Sequence, residues 1–194
     1  MLTKTQFKII EAFKRLIIEN GYSKTTTKRI AELAGVNEST IFKNFKDKEG
    51  LMNAAVDQFL IEAVDITKDL EMSGDVEKDL INLSRRYQEF VASHQAIVLA
   101  GFRETFEISK LNEAVQRVPI HFKKLLIAYF EELQSENRIS SSISIESEVM
   151  NVIWLNFGYF LTKNRFQDSS LDYNLDYFLE NNIRNYASKL TFRE

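Results

Sequence analysis

Residues 22–49, YSKTTTKRIAELAGVNESTIFKNFKDKE, constrain this chain more than any other stretch. They read as two short helices joined at Gly35, set in a basic segment, and the second helix is too polar to be a core element. Two helices that cross steeply need a small residue where their backbones approach and a turn residue that tolerates positive φ. They also need apolar residues that pin the second helix to the first. Ala31, Gly35 and Ile41 supply these at spacings of four and six residues. Ile30, Leu33 and Val36 add further apolar contacts, and Phe42 and Phe45 anchor the far end. Asn37, Glu38, Ser39, Thr40, Lys43 and Asn44 remain as a broad polar face, mostly of short side chains that can reach phosphates and base edges. A plain helical hairpin with a glycine C-cap shares the first half of this pattern. The polar second helix is what a groove-binding helix-turn-helix adds to it.

The remaining chain predicts an all-α fold of about nine helices. One proline and six glycines leave few breakers in 194 residues. The first helix spans about Lys4 to Asn20, with Phe7, Ile10, Phe13 or Lys14, and Ile17 on one face. Thr3 and Gln6 form a capping box at its start, and Asn20-Gly21 ends it. The second helix is capped within Thr25-Thr26-Thr27 and ends at Gly35, while the third starts after Asn37 and ends near Phe45. Asp47 caps a fourth helix running to about Leu70. Further helices are predicted over about 75–93, 95–108, 111–135, 146–165 and 173–190. Pro119 either starts a helix or kinks one, and the serine-rich ISSSISI at 139–145 reads as a loop.

Charge is divided along the chain. Residues 1–50 hold ten Lys+Arg against six Asp+Glu, whereas residues 51–194 hold fifteen against twenty-two. A basic end on an acidic body is the asymmetry expected when only one domain meets phosphate. The division expected is a DNA-binding domain at 1–47 and an acidic helical body at 48–194, connected by the helix at 48–70. The absence of cysteine excludes disulfides, zinc fingers and thiol catalysis. Charges interrupt every apolar run of the N-terminus, unlike a secretory leader, and no apolar stretch reaches the ~20 residues that span a bilayer. A cytoplasmic location without membrane contact is expected. His94 and His121 stand far apart without ligand-spaced partners, so no metal, cofactor or catalytic residue is expected.

The segment resembles the TetR family of transcriptional regulators. The family signature, GY-x-x-TT-x-x-x-IA-x-x-AGV-x-x-x-T-(I/L)-(F/Y)-x-x-F-x-x-KE-x-L, is met by Gly21-Tyr22, Thr25-Thr26, Ile30-Ala31, Ala34-Gly35-Val36, Thr40-Ile41-Phe42, Phe45, Lys48-Glu49 and Leu51. The resemblance implies that Thr25 and Thr26 cap the second helix and touch phosphate. It places Lys28 where the family often has a DNA-reaching arginine, and Lys48 as a phosphate clamp. Ser39, Thr40, Lys43 and Asn44 become the groove-facing residues. The family's usual tyrosine is Phe42 here, which has no hydroxyl for phosphate and is expected to pack. Lys43 and Asn44 become the candidates for base reading.

The acidic body carries most of the aromatics, which read either as a helical core or as the wall of a cavity. TetR-like proteins enclose a small-molecule inducer with the corresponding helices. By that resemblance Tyr87, Phe102, Arg103, Phe106, His121, Phe122, Tyr129, Trp154 and Asn156 are candidate pocket residues for a small hydrophobic ligand. Val149, Ile153, Phe157 and Phe160 follow helical spacing on one of the last two helices, and Leu175, Leu179, Ile183 and Tyr186 on the other. In TetR-like proteins this pair meets its symmetry mate, so a homodimer is expected, although the faces could instead finish the monomer's core. The resulting expectation is a dimeric repressor of a palindromic double-stranded DNA operator, released by an inducer. The alternatives are a DNA-binding regulator controlled by a protein partner, and an all-helical enzyme with an incidental hairpin.

Overall fold

The computed structural model describes residues 2–65, 71–103, 109–165, 170 and 173–191. The fold is all-α: α1 (Lys4–Asn20), α2 (Thr27–Ala34), α3 (Glu38–Phe45), α4 (Lys48–Asp65), α5 (Val76–Ser93), α6 (Gln95–Arg103), α7 (Ser109–Ser135) and α8 (Ile145–Arg165). The last run consists of α9 (Leu175–Phe178), a π-helical turn (Leu179–Ile183) and α10 (Arg184–Leu190), joined end to end. The expected extensions to Leu70 and to residue 108, with Phe106, lie outside the described residues. Among those described, no helix is long and apolar enough to cross a membrane. α7 includes Pro119 in its interior, so this proline does not begin a helix. A proline inside a helix forfeits its own N–H and crowds the carbonyl four residues before it, a cost that burial of the apolar face of α7 has to offset. The 139–145 segment contributes a single extended pairing, Ile139 with Thr191.

Contacts divide the chain into two compact units. The first contains residues 1–64 and 94–117, the second 65–93 and 118–194. In the first, α1 packs on α2 and α6, and α2 packs on α3. The α1 capping box forms as the sequence requires, with Gln6 N–H donating to Thr3 Oγ1 at 3.2 Å and Thr3 N–H to Gln6 Oε1 at 2.9 Å. Its buried stripe is Ile9, Ile10, Ala12, Phe13, Leu16 and Ile17. Phe7, expected on that stripe, is half exposed instead. Ile9 and Leu16 complete the core-facing arc, which rotates Phe7 outward. His94 is buried, its Nε2 3.0 Å from a Glu62 carboxylate oxygen and its ring edge-on to Phe59.

In the second unit α5 packs on α8, the π-helical turn and α10. Two buried polar clusters tie its helices. Asp79 is 2% exposed and accepts Ser73 N–H, Ser73 O–H, Gly74 N–H and Tyr129 O–H at 2.7–3.0 Å. Burial alone pushes the Asp79 carboxyl up, but the bonds from Ser73, Tyr129 and Gly74 together hold it below its usual range. Burial and the facing Asp79 carboxylate raise the Tyr129 hydroxyl far above the usual phenol range. Asn156 is wholly buried. Its amide donates to Ser84 Oγ and the Val152 carbonyl, each at 3.0 Å, and its own oxygen accepts from Gln88 at 3.0 Å. A buried amide so satisfied fixes the register of α8 on α5.

Candidate DNA-binding site

The turn between α2 and α3 has the geometry that Gly35 permits. Gly35 takes φ +67°, its N–H donates to the Glu32 carbonyl at 3.3 Å, and Val36 N–H donates to the Ala31 carbonyl at 3.0 Å. This closes α2 with a Schellman motif, which needs a left-handed residue at that point. Ile30, Ala31, Ile41 and Phe45 are buried and Val36 is half-buried, so the pinning contacts form from both helices. Two residues expected among them do not join. Leu33 is 42% exposed and Phe42 is 50% exposed. Ile41 and Phe45, four residues apart, already define the inward ridge of α3, and Phe42 is turned away from it.

α3 presents the remaining side chains outward. Asn37, Ser39, Lys43 and Asn44 are exposed and Thr40 is partly so. Asn37 occupies the N-cap position without a side-chain cap bond. Asn44 Nδ2 donates one hydrogen to the Thr40 carbonyl at 2.7 Å, which orients the amide and leaves its other N–H and its oxygen for a base edge. On α2, Thr26 is the cap: its hydroxyl oxygen accepts Arg29 N–H at 3.3 Å, and it stays exposed beside Lys28. Thr25 does not reach phosphate in this arrangement. It is 1% exposed and its hydroxyl donates to the Gly21 carbonyl at 2.8 Å, which closes the turn after α1.

Two further residues, Thr27 and Gly50, fix the orientation of α3 and were not legible as site residues. Thr27 Oγ1 donates to a Glu38 carboxylate oxygen at 2.6 Å, joining the first turns of α2 and α3 and drawing the acidic group aside. Gly50 lies in the first turn of α4, where a Cβ would stand 1.8 Å from the Phe45 carbonyl oxygen. Its N–H is capped by Asp47 Oδ1 at 2.7 Å. A glycine in the first turn of a strongly helical stretch was the available signal. Lys48 is half-buried. Its ammonium donates to the Tyr22 carbonyl at 3.1 Å and sits 4.2 Å from the centre of the Tyr22 ring. It thus ties the loop before α2 to the start of α4.

The described residues among those expected to line a ligand pocket divide into buried and exposed ones. Tyr87 and Phe122 are buried against each other, with ring centres 4.9 Å apart, and burial raises the Tyr87 hydroxyl to about 12. Tyr129 and Asn156 belong to the two buried clusters described above. Phe102, His121 and Trp154 are exposed, while the Arg103 side chain and Phe106 lie outside the described residues. The expected dimer residues divide in the same way. Val149, Phe160, Leu179 and Ile183 are buried within the single chain and offer no surface to a partner. Ile153, Phe157, Leu175 and Tyr186 are half-buried, and the Tyr186 hydroxyl is held by a Glu148 carboxylate oxygen at 2.6 Å. The outward face of the same helices carries Trp154, 61% exposed, with Tyr173 and Tyr177. Together with Leu155, Gly158, Tyr159 and Asn181 they border an open groove of about 600 Å³.

Comparison with known proteins agrees with this head. Residues 9–55 match the family model for bacterial regulatory proteins of the tetR family. The HTH-type transcriptional regulator YvkB of Bacillus subtilis is 33% identical over 159 residues, covering 81% of this chain and 82% of that protein. Among solved structures, the fatty acid degradation regulator FadR of Bacillus halodurans superposes with a TM-score of 0.74 at 17% identity, over the full length of both chains. FadR of Bacillus subtilis, solved in complex with stearoyl-CoA, superposes at 0.68 with 16% identity, over 95% of this chain and 97% of that one. These relatives are regulators rather than enzymes, and the two solved structures share the all-α fold. With its helix-turn-helix head and a relative of this identity along most of its length, the chain belongs to the TetR family of DNA-binding transcriptional regulators.

Proposed function

We propose that this regulator is a dimeric repressor that reads a palindromic operator through α3 and leaves it when its body binds a small apolar molecule. The observation that carries the DNA half is the outward set Ser39, Lys43 and Asn44 on a helix whose inward ridge is fully committed. Thr26, Lys28 and Lys48 are the proposed phosphate contacts flanking it, and residues 1–47 the reading head. One eight-residue helix reads only a few base pairs, so two heads on a two-fold axis supply the specificity. The proposed dimer surface is the outward face of α8 and α9, where Trp154, Tyr177 and Gly158 give an exposed apolar strip with a low point.

Support for the ligand half comes from the acidic, aromatic-rich second unit and from the FadR neighbour solved with stearoyl-CoA. A long-chain acyl thioester is therefore the first ligand to try. The close packing of Tyr87, Phe122, Tyr129 and Asn156 favours a second reading, in which a protein partner acts on a filled body. Titration of stearoyl-CoA against the protein on a duplex selected from a random pool separates the two. Release of DNA supports the inducer reading, and by linkage the duplex must weaken ligand binding by the same factor. Undiminished DNA binding across acyl chain lengths and other apolar ligands removes it.

A further inference from the structure

We infer that Phe42 is a specificity-determining residue that reads the 5-methyl group of thymine in the major groove. This deepens the proposed function and rests on α3 entering that groove. Phe42 is half exposed on a helix whose other outward side chains are polar. Nothing in the core requires it, because Ile41 and Phe45 fill the inward ridge and are 0% and 8% exposed. It shares an outward ridge with Ser39, one turn before it, and Lys46, one turn after it, both exposed. The side chain is thus held where a base-reading helix meets DNA.

Chemistry narrows what it can meet there. A phenyl ring has no donor for a phosphate oxygen, and lying against one would strip water from the anion with nothing in return. Base edges in the major groove are donors and acceptors with one exception, the thymine methyl, which apolar side chains contact. Covering both groups removes apolar surface from water on each side. The neighbouring Asn44 amide donates one hydrogen to the Thr40 carbonyl at 2.7 Å, and the ring stands beside it and the exposed Lys43 as the one apolar group among these outward side chains.

The test begins with a duplex that the wild-type chain selects from a random pool. Each thymine is replaced singly by deoxyuridine, which removes only the methyl group, and binding is titrated for wild type and Phe42→Ala at low salt. Loss of a methyl contact should weaken wild type about fourfold at one thymine per half-site, the factor that corresponds to about 0.8 kcal/mol per buried methyl-sized group. Phe42→Ala should be indifferent to that replacement while keeping the wild-type unfolding midpoint and helix content. Equal effects of every deoxyuridine on both proteins, or no effect on wild type, would overturn the assignment and leave the ring packing on sugar without reading sequence. Failure to select any duplex would instead sink the operator-reading function on which this rests.

Discussion

Replacing Asp79 by Asn changes one atom and should destabilise the second unit. Asp79 Oδ1 accepts the Ser73 N–H and O–H, and Oδ2 accepts Gly74 N–H at 2.8 Å and Tyr129 O–H at 2.7 Å. An asparagine can keep the Ser73 pair at its oxygen, but its NH₂ then faces the Gly74 N–H, donor against donor. A bond to a charged group is worth about 1.5–3 kcal/mol, and a buried donor left without an acceptor costs about 1–3 kcal/mol. Relief of the carboxylate's own burial offsets part of this, so a net loss of about 2–3 kcal/mol is expected. The pH dependence gives a second readout. The folded carboxyl lies below its usual value, so its stabilisation is present above the unfolded pKa, near ~3.9, and is lost as the pH falls through the folded value. Urea unfolding followed by circular dichroism should show wild type ahead of Asp79→Asn at pH 7, with the gap closing in strong acid. A difference within about 0.5 kcal/mol at pH 7, the range of ordinary surface substitutions, would refute the reasoning, as would a gap that persists unchanged below pH 3.

Three other perturbations bear on the head and the surface. Gly50→Ala puts a Cβ 1.8 Å from the Phe45 carbonyl oxygen, so α3 and α4 must separate. A stability loss of about 1–3 kcal/mol is expected together with weakened DNA binding, and a variant that binds duplex normally would show the close approach to be unnecessary. Lys48→Gln should flatten the logarithmic salt dependence of DNA binding by about 0.9 for each head that meets DNA, since it removes the proposed phosphate contact. An unchanged slope would leave Lys48 as a tie to Tyr22 only. Trp154→Asp places a charge on the apolar strip of α8 and should shift the protein to monomers in analytical ultracentrifugation, with the helix content retained. Unaltered association would move the dimer surface elsewhere.

Helix starts and stops were legible because they depend on local chemistry. The Thr3–Gln6 box, the Thr26 cap and the left-handed Gly35 all act within a few residues of themselves. The inward ridge of α3 was only partly legible. Ile41 and Phe45 announce it by spacing, but spacing alone could not say that Phe42 and Leu33 fall outside the core. Thr25 illustrates a second gap, since a threonine beside a helix start can cap, touch solvent or bond backward, and the Gly21 carbonyl decides among these. The last helices failed for a related reason. Both have more than one apolar side, and periodicity does not reveal which side the rest of the chain covers first. Val149 and Leu179 went inward, while Trp154 and Tyr177 stayed out. Contacts across long sequence separations, such as Thr27 with Glu38 and Asp79 with Tyr129, left no local trace.

The most direct test of the reading head is selection of duplexes from a random pool by wild type and by a Ser39→Ala/Lys43→Ala variant with the same unfolding midpoint. Both positions are exposed on α3 and neither contributes to its inward ridge. Wild type should enrich a two-fold symmetric site with half-sites a whole number of helical turns apart, and the variant should lose that site or enrich a different one. An identical site bound with equal affinity by both proteins would contradict the assignment of α3 as the helix that reads DNA.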